Sequence, residues 1–363
     1  MRRDRKKGIG TALRRGLAGL LLLPVLLLIA GCSRSVEEPE TGRQSEERKM
    51  QIGLSFDSFV IERWLRDRDV FVSTAEELGA SVNVQNANGD VEEQIEQIRY
   101  FIRKGMDVIT VVAIDAEALS DVIRDAKRAG IRVICYDRLI QNAGADLYIS
   151  FDNVRVGSLM GEALRDALPD GGQIFAIYGS AADYNVTLVK EGLLSVLEDS
   201  NLEIVYSAFC DNWLAELAFD AVQEGLSKTG KVDGIMCGND DLASQAIRAL
   251  SEHRLAGKIP VVAQDAELAA CQRILEGTQT MTVFKSVDEE ARMAAYLAVA
   301  LGRGEDITSE NAQIRVTDTI DDGSNQVPYY HIEPIAVTTD NLDEMIIDSG
   351  FHRREDVYLN VTG

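Results

Sequence analysis

Residues 108–112, Val108-Ile109-Thr110-Val111-Val112, carry apolar or β-branched side chains on both faces of an extended chain. That is the pattern of a parallel strand covered by helices on each side, rather than of an antiparallel strand with one wet face. With Ala113 included as its last residue, the run has candidate strands before it at Gln51–Phe56 and Ser81–Gln85 and after it at Ile131–Tyr136. Helix-length amphipathic stretches lie between them: Glu62–Leu78 brings Trp64, Val70, Phe71, Ala75 and Leu78 near one face. A second series opens at Leu147–Phe151. It continues through a helix from about Val154, strand Gln173–Tyr178, a helix to Leu197, strand Glu203–Phe209, a helix from Trp213, strand Gly234–Cys237, a helix to Leu250 and strand Ile259–Ala263. The alternation predicts an α/β protein with two doubly wound parallel-sheet lobes.

Composition agrees. A chain of 363 residues that is 46% hydrophobic exceeds what a single core sustains, which favours two. With 29 glycines and only 6 prolines it is neither collagen-like nor mucin-like. The net charge of -22 argues against a grip on phosphate backbones, so no nucleic-acid partner is expected.

The N-terminus reads separately. Arg2, Arg3, Arg5, Lys6, Lys7, Arg14 and Arg15 precede the apolar run Leu17–Ala30, the layout of a secretory signal, and the run is shorter than the ~20 residues of a membrane span. Ile29-Ala30-Gly31-Cys32 resembles a bacterial lipobox, which makes residues 1–31 a lipoprotein signal peptide, Cys32 the lipidated residue, and the remainder an exported, lipid-anchored body. Residues 32–49 are almost free of apolar side chains and read as a flexible tether.

In open parallel sheets ligands sit beyond the carboxyl ends of the strands. Those positions are polar here: Asp57, Asp137-Arg138, Asp152-Asn153, Asn239-Asp240, Gln264-Asp265 and Lys285. Carboxylates, amides and cations at fixed angles suit a neutral polyhydroxylated ligand, and Trp64 and Trp213 offer flat faces for the C–H side of a sugar ring. Each has a plainer reading as well. Arg138 or Lys285 alone reads as a surface ion pair, Asp240 as a helix N-cap, and either tryptophan as core.

The motifs Glu62-Arg63-Trp64, Asp67-Arg68-Asp69, Gln85-Asn86-Ala87-Asn88-Gly89, Tyr136-Asp137-Arg138, Tyr148–Asn153, Gln264-Asp265-Ala266 and Gly277–Val283 resemble those of the type I periplasmic sugar-binding proteins of bacterial ABC importers, ribose/xylose type. The resemblance spans about Met50 to Arg353 and departs from the family pattern at Ala113-Ile114-Asp115. It implies two lobes joined by a three-segment hinge, residues 50–153 with about 286–318 in one and 154–285 with about 319–353 in the other, followed by a 354–363 tail. It implies a monomer that closes on an aldopentose, with xylose favoured over ribose, arabinose, glucose or galactose, and passes it to an ABC permease and its ATPase. A sugar sensor feeding a chemoreceptor or histidine kinase is the alternative. The resemblance puts Arg63 and a stacking Trp64 at the mouth of the first lobe, Asp137 and Arg138 on hydroxyls, and Trp213 on the opposite ring face. It puts Asn239 and Asp265 on hydroxyls from the second lobe, Lys285 at the hinge, and Asn185 in a loop that departs from the pattern.

Enzyme signals are weak. His253, His331 and His352 lack zinc spacing, no glycine-rich phosphate loop follows a strand, and no cofactor or metal is expected. Cys135, Cys210, Cys237 and Cys271 lack motif spacing and read as buried thiols, although the oxidising side of a membrane also allows a bridge.

Overall fold

A computed structural model describes residues 48–361. The expected signal, Cys32 and nearly all of the tether lie outside the described residues. The chain runs β1 (Gln51–Phe56), α1 (Arg63–Glu77), β2 (Ser81–Asn86), α2 (Val91–Lys104), β3 (Val108–Val111), α3 (Ser120–Arg128), β4 (Arg132–Tyr136), β5 (Leu147–Phe151) and α4 (Asn153–Ala167). It continues through β6 (Gly172–Tyr178), α5 (Tyr184–Leu197), β7 (Leu202–Phe209), α6 (Glu216–Thr229), β8 (Gly234–Cys237), α7 (Asp240–Glu252), β9 (Val261–Gln264), α8 (Leu268–Glu276) and β10 (Met281–Phe284). Then come α9 (Val287–Gly302), β11 (Asp318–Asp321), β12 (Gln326–Ile332), β13 (Ile335–Val337) and α10 (Arg354–Val357).

Two sheets result, ordered β11-β12-β5-β4-β3-β1-β2 and β13-β10-β9-β8-β6-β7. The parallel parts share one winding, in which the first strand of each lobe lies between its second and third. That reversal is the topological switch point, where a crevice opens at the carboxyl ends of the strands. Strands β3, β8, β9 and β10 are buried at every residue, as the apolar runs require of strands roofed on both sides. Several helices begin where a post-strand polar side chain caps them: Asp152 accepts from Arg155 N, Asp183 from Asn185 N and Asn239 from Leu242 N. Asn239, not Asp240, is therefore the cap of α7.

Strand β5, which opens the second series along the chain, pairs with β4 in the first sheet, and its residues lie within the 50–153 lobe. Two expectations are corrected. Residues 318–332, assigned to the second lobe, form the β11–β12 hairpin on the first sheet: β12 runs parallel to β5, and the Tyr329 ring stacks on Tyr148 at 4.8 Å. Only from β13 onward does the C-terminal segment join the second sheet. The expected tail at 354–363 begins with α10, whose Val357 is fully buried in a small core with Cys271, Ile274 and Ile346. The chain thus passes between sheets at 151–153, 284–287 and 332–335.

Helices α4 and α5 of the second lobe meet backbone to backbone. A Cβ on Gly157 would stand 1.9 Å from the Val189 carbonyl oxygen, and one on Gly192 would stand 1.8 Å from that of Val154. No helix among the described residues is long and apolar enough to cross a membrane. The four described cysteines are free and buried, with burial pushing the Cys135 thiol up to about 12.

Candidate functional site between the lobes

Three site residues sit on left-handed backbone without being glycine: Asp137 (φ 61°), Trp213 (φ 58°) and Asp265 (φ 101°). Such conformations cost of order 1–3 kcal/mol and persist where surrounding structure imposes them. Each one turns the chain sharply at the carboxyl end of a strand and projects its side chain near the crevice. The Trp213 indole lies over Gly179, where a Cβ would come within 2.4 Å of its six-membered ring, and Gly238 clears the space beside it.

One cavity collects these residues. It is lined by Arg63, Trp64, Asp137, Arg138, Asn185, Trp213, Asp265 and Lys285, eight of the nine residues read from the sequence as sugar contacts. Asn239 is not among the lining residues: its Oδ1 caps α7, while its Nδ2 is buried without a partner among the described residues. Ile61, Asn153, Asp183 and Gln264 complete the lining.

The wall from the first lobe is built around two guanidinium groups. Arg63 donates to Asp67 (2.9 Å), Asp137 (2.9 Å) and Glu290 (2.6 Å), and its Cζ stands 4.4 Å from the Trp64 ring centroid. Arg138 donates to Asp57 at 2.7 Å and to the Ala113 carbonyl, and its Nε lies 2.7 Å from Asp183 of the second lobe. Its Cζ is 5.5 Å from the Trp64 ring and 5.9 Å from the Trp213 ring, so the cation bridges the two aromatic faces. Asn185 Nδ2 donates to the Asp137 carbonyl and to Oδ1, and Ala116 N donates to Ala182 O, so both lobes are joined directly.

The second-lobe wall is less interlocked. Asp265 pairs with Lys285 at 2.8 Å, and Lys285 Nζ rests 5.5 Å from the Phe151 ring at a crossing segment. Trp213 Nε1 donates to Asp183. Behind this wall Asp240 is held by Gln279 Nε2 (2.7 Å), Thr282 Oγ1 (2.8 Å) and Glu267 N (3.1 Å), with no cation on its carboxylate.

Protonation follows from this layout. Burial alone would lift the Asp137 carboxyl, but Arg63, Lys285 and Arg138 outweigh it and hold the group below its ordinary value. Burial prevails at Asp57 and Asp183 despite Arg138, and at Glu290 despite Arg63, and all three are raised. Burial, then Asp240, Asp241, Asp265 and Glu62, push Glu267 up to about 10.

Glu290 and Asp67 escaped the sequence reading because they lie inside helices rather than after strands, though Arg63 and Asp67 stand four apart on one helix face, a legible pair. Asp183 carried no reading of its own in the sequence, and its cap of α5 is a feature of the structure. In the Asp321-Asp322-Gly323 turn the Asp322 carboxylate accepts from the backbone N–H groups of Ala143, Gly144, Ser324 and Asn325.

The lining sets charged and amide donors and acceptors beside two indoles, a combination suited to holding a polar ligand. Residues 52–306 match the periplasmic binding protein domain family. The chain is 41% identical to the D-xylose-binding periplasmic protein of Haemophilus influenzae over 86% of its length and 94% of that protein's, and 38% identical to its Escherichia coli namesake over 87% and 95%. A solved ABC transporter solute-binding protein from Clostridium phytofermentans with bound β-D-glucose superimposes with a TM-score of 0.76 at 26% identity, covering 85% of this chain and 99% of that one. The chain belongs to the periplasmic binding protein domain family, in its type I two-lobe form, and the relatives it matches are solute-binding proteins rather than enzymes.

Proposed function

We propose that this chain is an exported binding protein that captures an aldopentose, D-xylose in preference to ribose, arabinose, glucose or galactose, and delivers it to an ABC permease driven by its ATPase, the body being held to the membrane through lipidated Cys32. The observation that carries the reading is the convergence of Asp137 and Arg138 from one sheet with Asp265 and Lys285 from the other on a single cavity between Trp64 and Trp213. Relatives named for xylose favour that ligand.

The physical action is a population shift. A sugar that bridges both walls binds the closed arrangement more tightly than the open one and moves the equilibrium by that difference. A ligand lacking one hydroxyl leaves a buried partner unpaired at about 1–3 kcal/mol, which is the source of selectivity. Differential scanning with the five sugars tests this: xylose at a hundred times its Kd adds about 2.7 kcal/mol of stability and raises the melting temperature most. A panel in which no sugar moves the transition overturns the reading. Labelling with radioactive palmitate, lost in Cys32→Ser, tests the anchor.

A further inference from the structure

Gln264 ends β9 beside Asp265, is 5% exposed, and lines the interlobe cavity. Its Nε2 donates to the Gly238 carbonyl oxygen at 2.6 Å, which fixes the amide's orientation, because a carbonyl accepts only from the nitrogen end. The Oε1 left over is buried and accepts from no donor among the described residues. Asp137 takes bonds from Arg63 and Asn185, and Asp183 from Trp213 and the Asn185 N–H; Asp265 Oδ1, 2.8 Å from Lys285 Nζ, is the other lining acceptor without a hydrogen-bond donor among the described residues, and it is charge-paired where Gln264 Oε1 is not. A buried acceptor without a donor is costly, and native interiors rarely keep one without a reason.

We propose that Gln264 is a specificity-determining residue whose Oε1 accepts a hydrogen bond from one particular hydroxyl of the bound sugar. The inference rests on the sugar-binding reading above and extends it to a residue that the post-strand pattern left without a role. An amide oxygen can accept but not donate. The contact therefore selects for a hydroxyl proton, and it does so without the charge that would vary with pH.

Titration calorimetry on the intact mature protein separates this from a structural role. The probes are xylose, its 2-, 3- and 4-deoxy analogues and the matching deoxyfluoro sugars, whose fluorine accepts but cannot donate. Gln264→Met, close in volume, is expected to bind xylose about tenfold more weakly. For one deoxy sugar and its fluoro counterpart, Gln264→Met and the parent protein should bind equally. Gln264→Asn, which retracts the amide by one methylene, should show the same sugar-selective loss and serves if the methionine variant does not fold. Losing the Nε2–Gly238 contact alone would weaken every sugar by one factor. That uniform loss, or unchanged affinity for xylose, overturns the assignment. If the parent protein binds none of the sugars, the sugar-binding reading itself falls, an outcome distinct from either.

Discussion

The two walls of the cleft hold their acids in different ways. On the first-lobe wall the carboxylates of Asp57, Asp67, Asp137 and Glu290 each touch a guanidinium, either Arg63 or Arg138. Behind the second-lobe wall, Asp240 relies on an amide, a hydroxyl and a backbone N–H, and Glu267 Oε1 has no partner among the described residues. A guanidinium neutralises its neighbours across a wide pH range and locks their geometry, whereas an acid kept neutral by its own proton depends on the solvent's pH. The first wall is thus framed by two cations, whereas the acids behind the second, Asp240 and Glu267, are buried without one.

The sharpest way to break that contrast is Arg63→Ala. Removing the cation strands three buried carboxyls, and urea unfolding should show a loss of about 3–5 kcal/mol. A loss no larger than that of an exposed substitution would deny the first wall its role as a frame.

The next test concerns pH. Folded Glu267 holds its proton up to about 10, whereas the unfolded chain releases it near the ordinary value of 4.5. Its stabilising contribution is therefore complete below about 4.5 and drains away as pH rises towards 10, at up to about 1.4 kcal/mol per pH unit for one proton. Glu267→Gln should flatten the fall of melting temperature between pH 5 and 9. Asp137 has the opposite sign: its lowered value means that its contribution is present at neutral pH and is lost only in strong acid. The stability gap between Asp137→Asn and the parent should therefore be full at neutral and alkaline pH and close in acid; a gap that opens only in acid would contradict the division.

Smaller still, Asp265→Ala should weaken xylose binding by about tenfold or more while leaving the fold intact, as calorimetry and melting curves would report. Smallest is Arg66→Ala. This half-exposed arginine pairs with Asp288 at 2.5 Å and donates to the Phe351 carbonyl, and its removal should cost under about 1 kcal/mol in the same unfolding assay.

The contrast also explains what the sequence disclosed. Short, mainly apolar runs gave strands β1, β5 and β8 at their full extent, because a roofed parallel strand buries side chains on both faces. Which sheet a strand joins is another matter, decided by partners far along the chain. Leu147–Phe151 and Gln326–Ile332 lie far apart along the chain yet pair as parallel neighbours, with the Tyr329 ring stacked on Tyr148. In the cleft, residues that follow strands were legible because the winding puts them there. Glu290 was not: it reaches Arg63 from a helix 227 positions away, and nothing in its neighbours announces a buried carboxyl.

The glycine seam between α4 and α5 has a consequence for how recognition can change over time. With the two backbones interlocked at Gly157 and Gly192, α5 can neither slide nor roll by a fraction of a turn, so Asp183 and Asn185 at its first turn are indexed to the second sheet like teeth on a gear. Ligand preference in this scaffold can drift by swapping the side chains that face the sugar. It cannot drift by nudging the helix that carries them, because one added methyl group would jam the mechanism instead of retuning it.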